Sequence, residues 1–153
     1  MSIFLDIVKQ YAATDQVFAE IIQSALVASD AIALNAAVEQ RSHNDQAYFL
    51  YMFTRLEAVI NECFEDLVSA RSIGNWHDTR PWLYFGERKS YESLSLLAKT
   101  AMLTGKGGQD WKQIQRYYAE RNSIAHGASW AQPFAIPSTG NDMQEIVNRF
   151  SIN

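Results

Sequence analysis

The sequence predicts an all-α protein, an up-and-down bundle of four to five helices. Apolar side chains recur at three- and four-residue spacing over long stretches, the mark of helices with one buried face. The three prolines and seven glycines fall mostly between residues 74 and 140, which leaves long tracts free of helix breakers. A length of 153 residues with 48% apolar and 20% charged side chains suits a single domain over 1–153 with one good core.

Between Asp15 and about Gln40, Phe18, Ile22, Ala25, Ile32 and Ala36 share one stripe and predict a first long helix. Residues 44–71 repeat the pattern with Phe49, Phe53, Leu56, Ile60, Cys63 and Leu67, behind an Asn44 or Asp45 suited to an N-cap. The two would pack antiparallel across a turn at Arg41-Ser42-His43. Over residues 72–88, Gly74, Asn75, Pro81 and Gly86 interrupt the periodicity while Trp76, Trp82, Tyr84 and Phe85 remain. Such an aromatic loop is either folded over the core or presented to a partner.

A shorter helix over 89–103 places Tyr91, Leu94, Ala98 and Ala101 on one side, and Thr104-Gly105-Lys106-Gly107-Gly108 ends it. That glycine stretch lacks the G-x4-G-K-S/T spacing of a phosphate-binding loop and reads as a connector. Asp110 suits the cap of the last major helix, which runs through Trp111, Ile114, Tyr117, Tyr118 and Ile124 to His126, with Gly127 placed to stop it. Pro133 and Pro137 keep the chain irregular until Asn141 or Asp142 opens a short terminal helix with Met143, Ile146, Val147 and Phe150. No internal repeat or low-complexity tract is visible.

Cys63 is the single cysteine, which excludes an internal disulfide, fits a reducing compartment and reads as a small core residue. The stretch Met1-Ser2-Ile3-Phe4-Leu5-Asp6 lacks a basic leader and a full apolar segment, and no uncharged apolar run is long enough to span a bilayer. A cytoplasmic protein without membrane contact is expected. His43 and His77 have no Cys or paired His at ligand spacing, so neither a metal nor another cofactor is expected.

Net charge is −4, unevenly spread. Residues 1–70 hold three basic and ten acidic side chains, residues 71–126 nine and five, and residues 127–153 one and two. The basic excess therefore coincides with Arg121-Asn122-Ser123-Ile124-Ala125-His126-Gly127, where an Arg and a His stand five apart near the end of a predicted helix. A cationic region on an otherwise acidic protein suits local contact with a phosphate backbone, and it also describes an ordinary solvated face.

At 100° per residue, Arg121 and His126 lie about 140° apart around the helix and about 7.5 Å along it. Arg121 lines up with Ile114, Tyr117 and Ile124 on the apolar side, where a guanidinium needs a partner: Glu57 on the second helix or a phosphate from outside. Tyr118, Asn122 and His126 follow one another at four-residue steps, so Asn122 is placed to orient the imidazole. The helix C-terminus favours the protonated ring and the nearby Arg opposes it, a balance that suits proton exchange. An Arg beside such a base has the parts needed to stabilise a phosphorane during RNA cleavage by a ribose 2′-hydroxyl. Lys112 and Arg116 in the same basic region are candidate phosphate contacts, and Tyr118 is a candidate base-stacking side chain.

The segment Tyr118-Ala119-Glu120-Arg121-Asn122-Ser123-Ile124-Ala125-His126-Gly127 resembles the R-x4-6-H signature of the HEPN superfamily, including the polar residue directly after the Arg. Its wording is most similar to HEPN domains of bacterial defence and toxin systems, the RiboL-PSP-HEPN group among them. The resemblance covers about ten residues in identity and most of the chain in helical pattern, with Arg55-Leu56-Glu57 on the early helix pair.

It implies a metal-independent endoribonuclease of a toxin–antitoxin or anti-phage defence system, acting as a homodimer that brings two motifs into one basic cleft. Arg121 would bind the scissile phosphate, His126 would act as general acid or base, Asn122 would assist, and the product would end in a 2′,3′-cyclic phosphate. An antitoxin or defence-system partner is also implied. Toxins of the HepT type carry a Tyr two residues after the His, where this chain has Ala128, so modification there is not expected. The alternative is a non-catalytic HEPN module for dimerisation or RNA binding.

Overall fold

The computed structural model describes residues 2–88, 90–127, 130 and 133–150, without the side chains of residues 87, 88, 90 and 91. Among them there is no strand, and the protein is all-helical as the periodicity predicts. The elements are α1 (Ile3–Val27), α2 (Ala31–Arg71), α3 (Trp76–Arg88), a 3-10 turn (Ser90–Ser93), α4 (Leu96–Thr104), α5 (Gln109–Ala125) and α6 (Ile136–Phe150). No described helix is long and apolar enough to cross a membrane.

The helices form two compact units, the first Met1–Thr54 with Glu120–Glu145 and the second Arg55–Ala119 with Ile146–Asn153. In the first, α1 contributes Phe4, Ile7 and Tyr11 to the core, α2 contributes Phe49, Met52 and Phe53, and α6 contributes Ile136 and Met143. The Phe49 ring stacks on Phe134 at 5.3 Å and tilts against Trp130 at 5.7 Å. Gly140 lets α6 approach the other two helices closely, because a Cβ there would collide with Val8 Cγ2 and press on Met52 Sδ at 3.3 Å. In the second unit, Leu56, Ile60, Phe64 and Val68 of α2 are buried, as are Leu96 and Thr100 of α4, Ile114 and Tyr117 of α5 and Ile146 of α6. Trp111 donates through Nε1 to the Leu97 carbonyl at 3.2 Å, and Arg149 forks onto both oxygens of Asp110 at 2.9 and 2.8 Å.

Several expected boundaries are corrected. The first turn lies at Ala28-Ser29-Asp30, not at Arg41-Ser42-His43. Ser29 takes a positive φ of 54°, and Asp30 Oδ1 accepts from the Ile32 and Ala33 amides at 3.1 and 2.9 Å, capping α2. This turn resets the helical phase, so Ile32 leaves the expected stripe and is 84% exposed. Asn44 and Asp45, expected as caps, lie inside α2.

The aromatic loop is largely helical, as α3. Asn75 starts it by accepting the His77 amide on Oδ1 at 3.1 Å. Pro81 sits inside the helix, where it removes one hydrogen bond to the carbonyl of the exposed His77, a group open to water. Helix α6 begins at Ile136, because Pro137 falls in the first turn, where the missing N–H has no intrahelical acceptor. Asp110 stands within the first turn of α5 and pairs with Arg149. Leu96–Thr104 of the expected 89–103 helix is present behind a Ser95 cap, whereas the Tyr91 side chain lies outside the described set.

Helices α1 and α2 are tied by polar bonds that the apolar pattern does not reveal. Arg41 grips Asp15 through Nε and Nη2 at 2.6 and 2.8 Å, and Tyr11 Oη donates to Asp45 Oδ1 at 2.9 Å. The Tyr48 ring meets Tyr11 edge-on at 5.4 Å. Burial pushes the Tyr11 phenol far up, and its bond to Asp45 adds to the shift. Burial also raises the Asp45 carboxyl, with Asp15 reinforcing it and the Tyr11 hydrogen bond and Arg41 opposing.

Gly140→Ala should destabilise the protein by about 1–3 kcal/mol in a denaturant melt, the cost of forcing a methyl into a closed contact. Because the folded carboxyl at Asp45 holds its proton more tightly than the unfolded one, ionisation costs stability as pH rises through the folded pKa. Asp45→Asn keeps an acceptor for Tyr11. It should therefore match or exceed wild type in melting temperature at pH 7, with the gap narrowing as pH falls towards 4.

Candidate functional site

The R-x4-H segment closes α5 within the first unit. The Gly127 amide bonds to the Ile124 carbonyl at 3.0 Å and that of His126 to the Asn122 carbonyl at 3.1 Å. Gly127 adopts φ +76° with open space around it, so it ends the helix as its position predicts. His126 follows the last helical residue, Ala125, and its side chain is exposed.

Arg121 is half-buried on the final turns, and its Nη1 donates to Asn122 Oδ1 at 3.0 Å. Among the described residues no carboxylate forms an ion pair with it. The contact to Asn122 satisfies one of five guanidinium N–H groups through a neutral acceptor. A guanidinium with no ion-paired carboxylate can bind an anionic oxygen, and an exposed imidazole can exchange a proton with a hydroxyl. Asn122 anchors the arginine through its side chain and receives the His126 amide through its backbone.

The other predicted site residues belong to the second unit. Lys112 and Arg116 stand exposed one turn apart on α5, Tyr118 is half-buried, and Glu57 is half-buried on α2. The basic stretch is less of a surface strip than its charge count implies. Lys99 is only 8% exposed, and its Nζ donates to the neutral Asn61 Oδ1 at 2.7 Å. Its place three residues after the N-terminal Leu96 of an apolar helix was the available signal.

Sequence reasoning also passed over Glu120, whose Oε1 is buried without a hydrogen-bond partner in the first unit, as are Asn44 Nδ2 and Trp130 Nε1. Cys63 is half-buried, and burial, helped by Asp66 and Glu62, raises its thiol, which argues against a nucleophilic role. His43 and His77 are exposed, and no cluster of three or more His, Cys, Asp or Glu able to hold a metal occurs among the described residues. Ala128 lies outside the described residues.

Comparison of the chain with protein-family models, curated proteins and solved structures yields no match.

Gly127→Ala should cost about 1–2 kcal/mol in chemical denaturation, the penalty of a left-handed backbone with a Cβ. Gly127→Asn should recover part of that loss, because Asn tolerates this region. Equal stability of all three proteins would show that the helix end is not fixed by this residue.

Proposed function

We propose that the chain is a HEPN-like endoribonuclease that needs no metal ion. It acts in the cytoplasm as part of a toxin–antitoxin or anti-phage defence system, at a site completed by a second copy. The observation that carries this reading is the half-buried Arg121, held by Asn122 with no ion-paired carboxylate among the described residues, on the helix end that presents His126.

The ribose 2′-oxygen forms a bond to the adjacent phosphorus as the bond from phosphorus to the 5′-oxygen breaks. His126 of one subunit accepts the hydroxyl proton, and its counterpart on the second copy supplies a proton to the leaving oxygen. Arg121 stabilises the charge that builds on the non-bridging oxygens, and Asn122 keeps the guanidinium in place. Lys112, Arg116 and Tyr118 are assigned to RNA contacts on the second unit. An antitoxin or other defence-system protein is the partner this reading calls for.

The purified protein, incubated with single-stranded RNA in EDTA, should leave 2′,3′-cyclic phosphate ends. Arg121→Ala and His126→Ala should each lower the cleavage rate by about a hundredfold or more, with unchanged melting temperature. Full activity in both variants overturns the assignment. Intact RNA with the wild-type dimer, alongside measurable RNA binding, would make the chain a non-catalytic module instead.

A further inference from the structure

Helix α3 has one packed side and one open side. Counted at about 100° per residue from Trp76, the residues Thr79, Trp82, Leu83 and Gly86 fall between about 240° and 340° around the axis. Thr79 is buried, Trp82 and Leu83 are half-buried, and a Cβ at Gly86 would meet Val68 Cγ1 of α2 at 3.8 Å. That side therefore packs on α2 within the second unit. Trp76, Arg80 and Tyr84 fall at about 0°, 40° and 80°, outside the packed arc and one four-residue step after another. Trp76 and Tyr84 are 60% and 54% exposed, and Arg80 is exposed as well.

Two large rings thus stand mostly in water on a helix whose packing uses other side chains, and burial gives no account of them. Between them, among the described residues, Arg80 makes no ion pair or hydrogen bond. The row climbs about 6 Å along the axis at each step, as ring, guanidinium and ring.

That order suits an unpaired nucleic-acid strand. Every base has a flat face that stacks on an aromatic side chain, and a guanidinium takes a phosphate or stacks itself. A docked amphipathic helix would call for aliphatic anchors, and the row holds none; the exposed Ile73 lies in the turn before α3. Charge agrees with this choice. Asp78 stands at about 200°, at least about 120° from each residue of the row. Lys112 and Arg116 of the same unit are exposed. Glu87 returns to about 20° beyond Tyr84, which bounds the stretch favourable to an anionic strand.

We propose that the Trp76–Arg80–Tyr84 row of α3 is a stacking platform for single-stranded RNA. Bases stack on Trp76 and Tyr84, and Arg80 takes a phosphate of the strand between them. The row itself selects unpaired bases, the choice of RNA rests on the ribonuclease reading, and neither Arg121 nor His126 takes part.

The test uses the full chain and a fluorescent 2′-O-methyl RNA strand of about 12 nucleotides without self-complementarity. The strand lacks the attacking hydroxyl, so binding is read without cleavage. It should bind saturably, and the same strand annealed to its complement should bind more weakly. Trp76→Ser and Tyr84→Ser should each weaken binding by about fivefold or more, and Phe at either position should restore most of it. Arg80→Gln should weaken binding and flatten the slope of log affinity against log salt by about 0.7. Circular dichroism and melting temperature should be unchanged in every variant.

No binding of the single strand, equal binding of the duplex, or affinity indifferent to both serine variants overturns the proposal. Phe variants as weak as the serine ones do so too, because a stacked base needs only a ring. Self-association by sedimentation equilibrium that Trp76→Ser abolishes would make a second copy the occupant, with the same consequence. Cleavage of ordinary RNA with binding indifferent to the row removes this proposal and leaves the ribonuclease reading; row-dependent binding without cleavage does the reverse.

Discussion

Helix α2 must bury side chains in two separate units over 41 residues without a break, and the rest of the fold depends on that constraint. Phe49, Met52 and Phe53 serve the first core, then Leu56, Ile60, Phe64 and Val68 serve the second at the same three- and four-residue rhythm. Neither proline nor glycine occurs along its length, so no residue offers a point at which the stripe could be divided. The shorter helices can then be brief and irregular at their ends, because α2 supplies apolar contact in both units. Gly140 shows the tolerance of the first core: a single methyl is more than the α6 contact can accept.

The helical class was legible because its signal is summed over many residues, whereas boundaries rest on a few. The run Arg41-Ser42-His43-Asn44-Asp45 looks like a turn by polarity, yet Arg41 and Asp45 spend their polar groups on Asp15 and Tyr11 across the hairpin. A polar run that finds cross-helix partners has no reason to leave the helix. The real turn had a readable signature in Ser29-Asp30, a residue placed to cap followed by Ala31, but without a glycine it gave no punctuation. Pro81 and Gly86 likewise read as breakers, although a proline near a helix start loses one bond at most and Gly86 meets only ordinary contact with Val68.

Local wording revealed more of the candidate site than charge did. Gly127 ends α5 as its position predicts, and this places His126 on an exposed helix end; Asn122 holds Arg121 where four-residue spacing had assigned it to the imidazole. The partner of the guanidinium is the next residue in sequence, Asn122, which stripe reasoning passes over because adjacent helical positions stand about 100° apart. The basic count over residues 71–126 overstated the surface charge. Lys99 contributes to that count while its ammonium rests on Asn61. Burial takes the ammonium out of direct reach of a phosphate without removing it from the sequence count.

This distinction bears on how an acidic protein can contact a phosphate chain. At about 0.15 M salt, exposed charges separated by more than about 8 Å are largely screened. The acidic excess of residues 1–70 therefore weighs little on a phosphate that reaches direct hydrogen-bonding distance of Arg121. What counts there is whether the guanidinium already spends its charge on a carboxylate, and no described carboxylate takes it. Asn122 is a fitting companion, because it fixes the arginine through one neutral acceptor and leaves the positive charge to attract an anion. An Asp at the same position would hold the side chain more tightly and cancel the property that makes it useful.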